Sequence, residues 1–166
     1  MAEQSNSLGD RQKVWELIKD IGTALMVTSS EGGLRGRPMA AMNKDFDGEL
    51  WFASRESTPK LDEIAGESHV LLAYSEPKSQ NYVSVAGTAR VVHDPAKAKA
   101  LWSEAMRVWF PQGPDDPNLA LICVTVSSAE YWDSPSSGWV YAYGYAKARL
   151  TGEAPHQVGE NKVVNF

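Results

Sequence analysis

The sequence predicts a mainly β protein, a small antiparallel barrel with peripheral helices. Three observations point there. About six strand-like runs follow one another along the chain, tight-turn signals such as "EGG" and "DFDG" join several of them, and helical stretches interrupt without a regular strand-helix-strand alternation. That order disfavours a parallel doubly wound sheet and suits a small antiparallel barrel. At 166 residues and 43% hydrophobic composition, the chain has material for one core, so a single domain over 1–166 is expected.

In "DRQKVWELIKDIG", Val14, Leu17, Ile18 and Ile21 recur at helical spacing, with Asp10 as candidate N-cap and Gly22 as stop. "TALMVTSS", "LRGRPMAAMN" and "ELWFAS" read as three successive strands. A short helix begins at Thr58 or Pro59, since Pro suits the first helical position and Leu61, Ile64 and Ala65 form an apolar stripe. "HVLLAY" and "NYVSVAGTARVVH" are the next strands. In the second, Val83, Val85 and Val91 alternate with Tyr82, Ser84, Thr88 and Arg90, and Gly87 marks a bend or bulge. "DPAKAKALWSEAMRVWF" predicts one amphipathic helix with Ala98, Leu101, Trp102, Ala105 and Trp109 on a face. The Pro-rich loop "PQGPDDPN" ends it, and "LALICVTVSSAEYWD" resumes strand alternation. A turn at "SPSSG", an aromatic stretch "WVYAYGYAKARL" and a polar, Gly-containing segment from residue 152 complete the chain.

Composition excludes several classes. A net charge of −5 leaves no basic field for a nucleic-acid backbone. One cysteine, Cys123, allows neither an intrachain disulfide nor a cysteine zinc cluster and fits a reducing compartment. The polar start lacks the apolar core of a signal peptide, and no window approaches the roughly 20 apolar residues of a membrane span, so a cytoplasmic protein is expected. His69, His93 and His156 are scattered, which leaves no metal-ligand spacing, and "PDDP" reads as a rigid solvated turn. No G-x-G-x-x-G, Walker A or G-x-S-x-G occurs.

One stretch invites a ligand. In "LWFASRESTPKLDEI", Ser54, Arg55, Ser57, Thr58 and Lys60 fall between a strand end and a helix start, where free N–H groups, hydroxyls and an ammonium make a phosphate seat. For a cluster of this kind taken alone, a plain helix cap by Ser57 or Thr58 with solvated cations is the commoner case. The preceding "RGRPMAAM" offers Arg37 as fixed charge, and the small or flexible residues Pro38 to Met42 leave backbone accessible to a flat ring; an ordinary edge strand reads the same way. Of six tryptophans, Trp15, Trp51 and Trp102 lie on apolar patterns and are assigned to the core, whereas Trp109 and Trp132 sit at element ends beside loops. No acid, base or activated nucleophile stands out, so demanding chemistry would belong to a bound cofactor.

Taken in order, "RGRPMAAM", "LWFASRESTPKLDEI", "VLLAY", "YVSVAGTARVV", "WFPQGPDDP" and "EYWD" resemble the pyridoxamine-phosphate-oxidase-like flavin proteins, and most closely their general-stress-protein branch, with the "GEN" tail also typical of it. The resemblance implies a six-stranded antiparallel split barrel with Greek-key connections, working as a homodimer with FMN, or FAD, in clefts at the subunit interface. On it, residues 1–9 and 152–166 are expected as flexible or dimer-embracing ends. It implies a flavin site made of Arg37, Pro38, Met39, Ala40, Ala41, Met42, Ala53, Ser54, Ser57, Thr58, Lys60, Tyr82 and Trp132, with Trp109 and Phe110 as contacts from the partner subunit.

The chain also departs from the oxidases of that family. Met42 stands where they have Lys, Pro59 where they have Arg, and the Tyr, Arg and Ser that grip the substrate phosphate have no counterpart in "AKALWSEAMRVWF". "GWVYAYGY" replaces an Arg-x-His pattern. Without those cations, oxidation of pyridoxine or pyridoxamine phosphate is not expected. The expectation is a flavin-dependent oxidoreductase-like stress protein exchanging electrons with a small molecule. The alternatives are a non-catalytic flavin-binding, storage or sensor protein, and a dimeric module without flavin.

Overall fold

The computed structural model describes residues 3–5, 8–133, 138–152 and 159–166. Eight strands form one curled sheet: β1 (Glu3–Ser5), β2 (Thr23–Ser30), β3 (Gly33–Ala40), β4 (Glu49–Arg55), β5 (His69–Glu76), β6 (Asn81–Val92), β7 (Leu119–Asp133) and β8 (Glu160–Asn165). Helices α1 (Leu8–Ile21), α2 (Pro59–Gly66), α3 (Pro95–Leu101) and α4 (Gly138–Thr151) are peripheral. The strand order is β1-β8-β7-β6-β5-β2-β3, and β4 pairs β7 off that path. All pairings are antiparallel except that of β1 with β8. The sheet curls into a half-barrel split between β3 and β4, the architecture the sequence predicts.

Strand β7 makes the curl possible. Its first half, from Leu119 to Thr125, lies between β4 and β6, and its second half, from Ser128 to Asp133, lies between β6 and β8. The change of partner coincides with a register shift at Ala86/Gly87 on β6, the bulge foreseen at Gly87. Ser127 Oγ donates to the carbonyl of Ala86 there, 3.0 Å away.

Alternation then sorts the side chains. Ala24, Tyr74, Val83 and Tyr131 are register partners and all buried, as are Met26, Leu72, Val85 and Ala129 in a second row. Helix α1 lays Val14, Trp15, Leu17 and Ile18 onto this core, each side chain worth roughly 1.5–3 kcal/mol when fully buried. The helix starts at Leu8 and not at Asp10; Asp10 sits in its first turn and pairs with Lys162 at 3.1 Å. Gly22 ends it as expected, with φ 82° and its N–H on the carbonyl of Ile18.

The single helix predicted from Asp94 is two pieces. α3 stops at Leu101, Trp102 turns extended, and a 3-10 turn covers Glu104–Val108. Ala98 must stay on a small apolar cluster with Trp51, Leu121 and Cys123, while the aromatic residues further on face elsewhere, and one straight helix cannot do both. Trp102 is accordingly half-buried, not core, its Nε1 donating to Glu104. Trp15 and Trp51 are buried as expected, Trp51 beneath the Lys97 ammonium at 4.5 Å. "PDDP" also differs: Asp116 is buried and accepts from the backbone of Gln112 and Asn118.

The aromatic stretch after residue 138 is α4, and part of the end segment 152–166 is β8, on the chain's own β7. Its inward Val164 is fully buried beside Ala129. The "SPSS" turn and His156 lie outside the described residues. His69 and His93 are exposed, paired with Glu67 and Glu56. Among the described residues no His/Cys/Asp/Glu group could hold a metal, and no helix is long and apolar enough to cross a membrane.

Candidate functional site

β3 and β4 leave the sheet open between them. The gap is bridged by Met42 N–H on the carbonyl of Trp51 (2.7 Å) and by Asn43, whose amide accepts from Trp51 N–H (2.7 Å) and donates to the Glu49 carbonyl (2.8 Å). These bonds set how the β3 edge faces the end of β4. Where the strands part there is a cavity of about 740 Å³, within the range of small-molecule and cofactor sites.

Its walls are chemically divided. One end is polar, formed by Ser54 and Arg55 as β4 finishes and Thr58 and Lys60 as α2 begins. The edge of β3 and the residues after it, Pro38 to Met42, line a side. As an edge strand, β3 offers backbone N–H and C=O groups that no neighbouring strand takes up. The opposite wall is apolar, including Leu101, Met106, Trp109 and Phe110 from the broken helix.

Thr58 occupies the N-cap position of α2, yet its side chain makes no capping bond. Its hydroxyl donates to the Arg55 carbonyl (2.9 Å) and meets Ser54 Oγ at 2.9 Å. Pro59 has no N–H and those of Thr58 and Leu61 are bonded to the carbonyls of Arg55 and Thr58, so the start of α2 offers the Lys60 N–H to the cavity side, with no side-chain cap competing for it. Among the described residues Lys60 has no carboxylate partner: its Nζ meets Met39 Sδ at 3.5 Å, and its pKa is lowered by burial and by the nearby charge of Arg37. A half-buried ammonium lining the same cavity as the hydroxyls of Ser54 and Thr58 is suited to an anion.

The cavity unites nine of the residues expected from this chain, Pro38, Met39, Ala40, Ala41, Met42, Ala53, Ser54, Thr58 and Lys60, and also Trp109 and Phe110, which the resemblance assigns to the partner subunit and which here line the cavity of their own chain. Arg37 is not in the lining. It pairs across β2 with buried Met26, on the face that α2 covers. There its guanidinium binds Glu63 (2.8 Å) and the hydroxyl of Thr28 (2.7 Å). Ser57 is exposed in the turn before α2. Tyr82 and Trp132 are register partners, in the same outward row as cavity residue Thr23. Thr23 precedes buried Ala24, Tyr82 precedes Val83, and Trp132 follows Tyr131. Two and three strand spacings of roughly 4.8 Å separate them from β2, so they sit beyond the walls of this chain's own cavity.

Thr23, Arg55, Leu101, Ser103, Ala105 and Met106 also line the cavity and were not anticipated. Arg55 was within the cluster already noted. Thr23 opens β2 and Leu101 ends α3, whereas Ser103, Ala105 and Met106 follow the helix break at Trp102, which helical periodicity does not signal.

A split, curled antiparallel sheet with a cavity at its open seam defines a split β-barrel. The chain belongs to the pyridoxamine 5'-phosphate oxidase like family, whose sequence profile matches residues 9–156. It is similar to general stress protein 26 of Bacillus subtilis, 29% identical over 115 residues covering 68% of this chain and 80% of that protein. It is also similar to protein bli-3 of Neurospora crassa, 26% identical over 112 residues, and there it spans about half (54%) of the relative's length. Among solved structures, a general stress protein 26 from Jannaschia sp. CCS1 superposes with TM-score 0.75 and 26% identity over 96% of this chain and all of that one. The general stress FMN/FAD binding protein of Xanthomonas citri superposes with TM-score 0.69 and 28% identity over 79% of this chain and 93% of its own.

Proposed function

We propose that the cavity binds FMN and that the protein exchanges electrons between this flavin and a small molecule. Ser54, Arg55, Thr58 and Lys60 would hold the phosphate, and the β3 edge from Pro38 to Met42 would run along the isoalloxazine ring. The observation that carries this is Lys60: an ammonium facing a cavity, without a carboxylate, beside the paired hydroxyls of Ser54 and Thr58. The name of the Xanthomonas citri relative supports FMN or FAD as the class of cofactor. FAD shares the phosphate that this end recognises.

When bound, flavin supplies the redox chemistry. The chain's own residues orient it and shape access to it. Arg55 and Lys60 are the two cations in the lining, both at one end. A flavin phosphate seated there leaves no charged group for a second phosphate, which argues against pyridoxine or pyridoxamine phosphate as substrate.

A non-catalytic flavin-binding role in stress is the second reading. It is favoured by a lining that, among the described residues, holds no His, Asp, Glu, Cys or Tyr and has Lys60 and Arg55 as its ionisable groups. Freshly purified protein should be yellow and release FMN or FAD on heating; colourless protein that neither quenches nor shifts added FMN overturns both readings. Anaerobic mixing of the flavin-loaded protein with NADH or NADPH separates them, since rapid bleaching marks turnover.

A homodimer is part of the proposal. Leu25 (47% exposed), Leu71 (39%) and Tyr82 (37%) lie on the outer face of β2, β5 and β6, with Val27, Ala73 and Ala86 between them. A second copy on this face would bring Tyr82 and Trp132 toward a flavin that their own cavity does not reach.

A further inference from the structure

Helix α2 crosses the covered face of β3 on two rungs. Lys60 sits over Met39 (3.5 Å), and three residues on, Glu63 sits over Arg37 (2.8 Å) and Arg35 (3.3 Å). The helical step of three matches the strand step of two, so each rung fixes the other. Glu63 is held from a third direction by Thr28 of β2, whose hydroxyl donates to Oε2 at 2.5 Å while accepting from Arg37. The side chain of Glu63 is only 9% exposed and Thr28 is buried. This network touches no cavity wall, yet it lies directly behind Lys60.

We propose that Glu63 is the positioning residue of the anion seat: bound to Thr28 and Arg37, it fixes the rotation of α2 that turns Lys60 into the cavity and offsets the guanidinium charge behind that ammonium. Two cations close together oppose each other, and Arg37 does lower the pKa of Lys60. Glu63 carries the opposite charge and binds that guanidinium at 2.8 Å, and arginine neighbours with the Thr28 hydroxyl keep its own pKa below the ordinary carboxylate value. The other charged groups around Lys60 are few. Arg55 lines the same cavity from β4, Asp62 follows on α2, and in the 3-10 turn beyond α3 Glu104 and Arg107, outside the lining, bind each other at 2.7 Å.

The test reads Lys60 directly. In ¹³C-methyl-free, lysine Cε-labelled full-length protein, the Lys60 signal is assigned by its loss in Lys60→Arg and titrated with pH. Glu63→Gln keeps the shape and removes the charge, leaving Arg37 uncompensated. An uncompensated charge several ångströms away is worth on the order of one pKa unit, so the Lys60 midpoint should fall by about that much. Arg37→Gln should raise it, and the doubly neutral Glu63→Gln/Arg37→Gln should return it near wild type. A merely structural Glu63 predicts lost thermal stability with an unmoved midpoint, and that result overturns the proposal. If Glu63→Gln does not fold, Glu63→Asp, which keeps the charge but shortens its reach to Thr28 and Arg37, decides: a moved Lys60 midpoint supports the proposal and an unmoved one overturns it. A second arm rests on the flavin-phosphate reading: the alkaline limit of FMN binding should move with the same signs. Wild-type protein that binds no FMN defeats that reading but leaves the Lys60 titration decisive for Glu63.

Discussion

The hydroxyls of Ser54 and Thr58 stand 2.9 Å apart, joining the last turn of β4 to the first of α2. Because Thr58 is turned toward Ser54 and the Arg55 carbonyl, it adds nothing to α2 as a cap. Thr58→Val should therefore change the melting temperature little, the lost neutral hydrogen bonds being worth about 1 kcal/mol. FMN affinity should fall about 5- to 30-fold, read by quenching of flavin fluorescence. A large stability loss with unchanged affinity would make Thr58 a structural residue.

Lys60 should separate FMN from riboflavin. A charge-assisted hydrogen bond contributes about 1.5–3 kcal/mol, so Lys60→Ala should weaken FMN roughly 10- to 100-fold and leave riboflavin within about twofold. The pH dependence has a definite sign. Burial and Arg37 lower the Lys60 pKa, so the ammonium is lost at a lower pH than in an ordinary lysine, and FMN affinity should decline on that alkaline side. Lys60→Arg, whose guanidinium stays charged, should lose the decline. Titrations by absorbance from neutral to alkaline pH check both.

Glu63 governs acid stability. Its folded-state pKa is depressed, first by the bond from Arg37 and next by that from Thr28, so its contribution is present above the ordinary value of 4.5 and is lost as pH falls through the folded value. Glu63→Gln should cost about 1–3 kcal/mol at neutral pH. The gap between variant and wild type should close below pH 4.5. Urea denaturation at a series of pH values measures it, and a gap that stays constant into acid would contradict the assignment.

Much of this site was legible in order along the chain because strand alternation and turn residues are local signals. The limits of β7, Leu119–Asp133, coincide with the quoted run, and Pro59 opens α2 as its fixed φ suggests. Arg37 was misplaced for a tertiary reason. Alternation shows which residues share its face, but not that α2 covers that face or that Glu63, 26 positions on, claims the guanidinium. The helix break at Trp102 was equally hidden. Its cause is the demand that Ala98 and Phe110 be buried in different places, and the helical stripe from Ala98 to Trp109 carries no trace of it.

Two glycines on the sheet should respond differently to the same substitution. A methyl at Gly87 would overlap the carbonyl oxygen of Thr125, which is backbone within the β6–β7 pairing and cannot move without breaking the bulge. At Gly36 the methyl would meet Leu25 side-chain carbons at 2.9 Å, and Leu25 is half exposed and free to change rotamer. Gly87→Ala should cost about 3 kcal/mol or prevent folding, and Gly36→Ala under about 1 kcal/mol. Equal midpoints in urea would refute this reading of the bulge.

Leu71 tests the association of two copies. Its side chain points outward from β5, opposite Val27 on β2 and Ala86 on β6, in the centre of the apolar outer face. An exposed band of this kind marks an interaction surface, and a charge placed at its middle would be desolvated without a partner whenever a second copy docks. In the isolated subunit the same charge meets water, so folding should be nearly unaffected. Leu71→Asp is therefore expected to convert a dimer to a monomer of 18.2 kDa by light scattering, with the melting transition retained at low protein concentration. Flavin affinity should drop in the same variant, because Tyr82 and Trp132 would no longer be delivered from a neighbouring copy. A wild-type monomer at high micromolar concentration, or a Leu71→Asp protein still dimeric, would place the interface elsewhere.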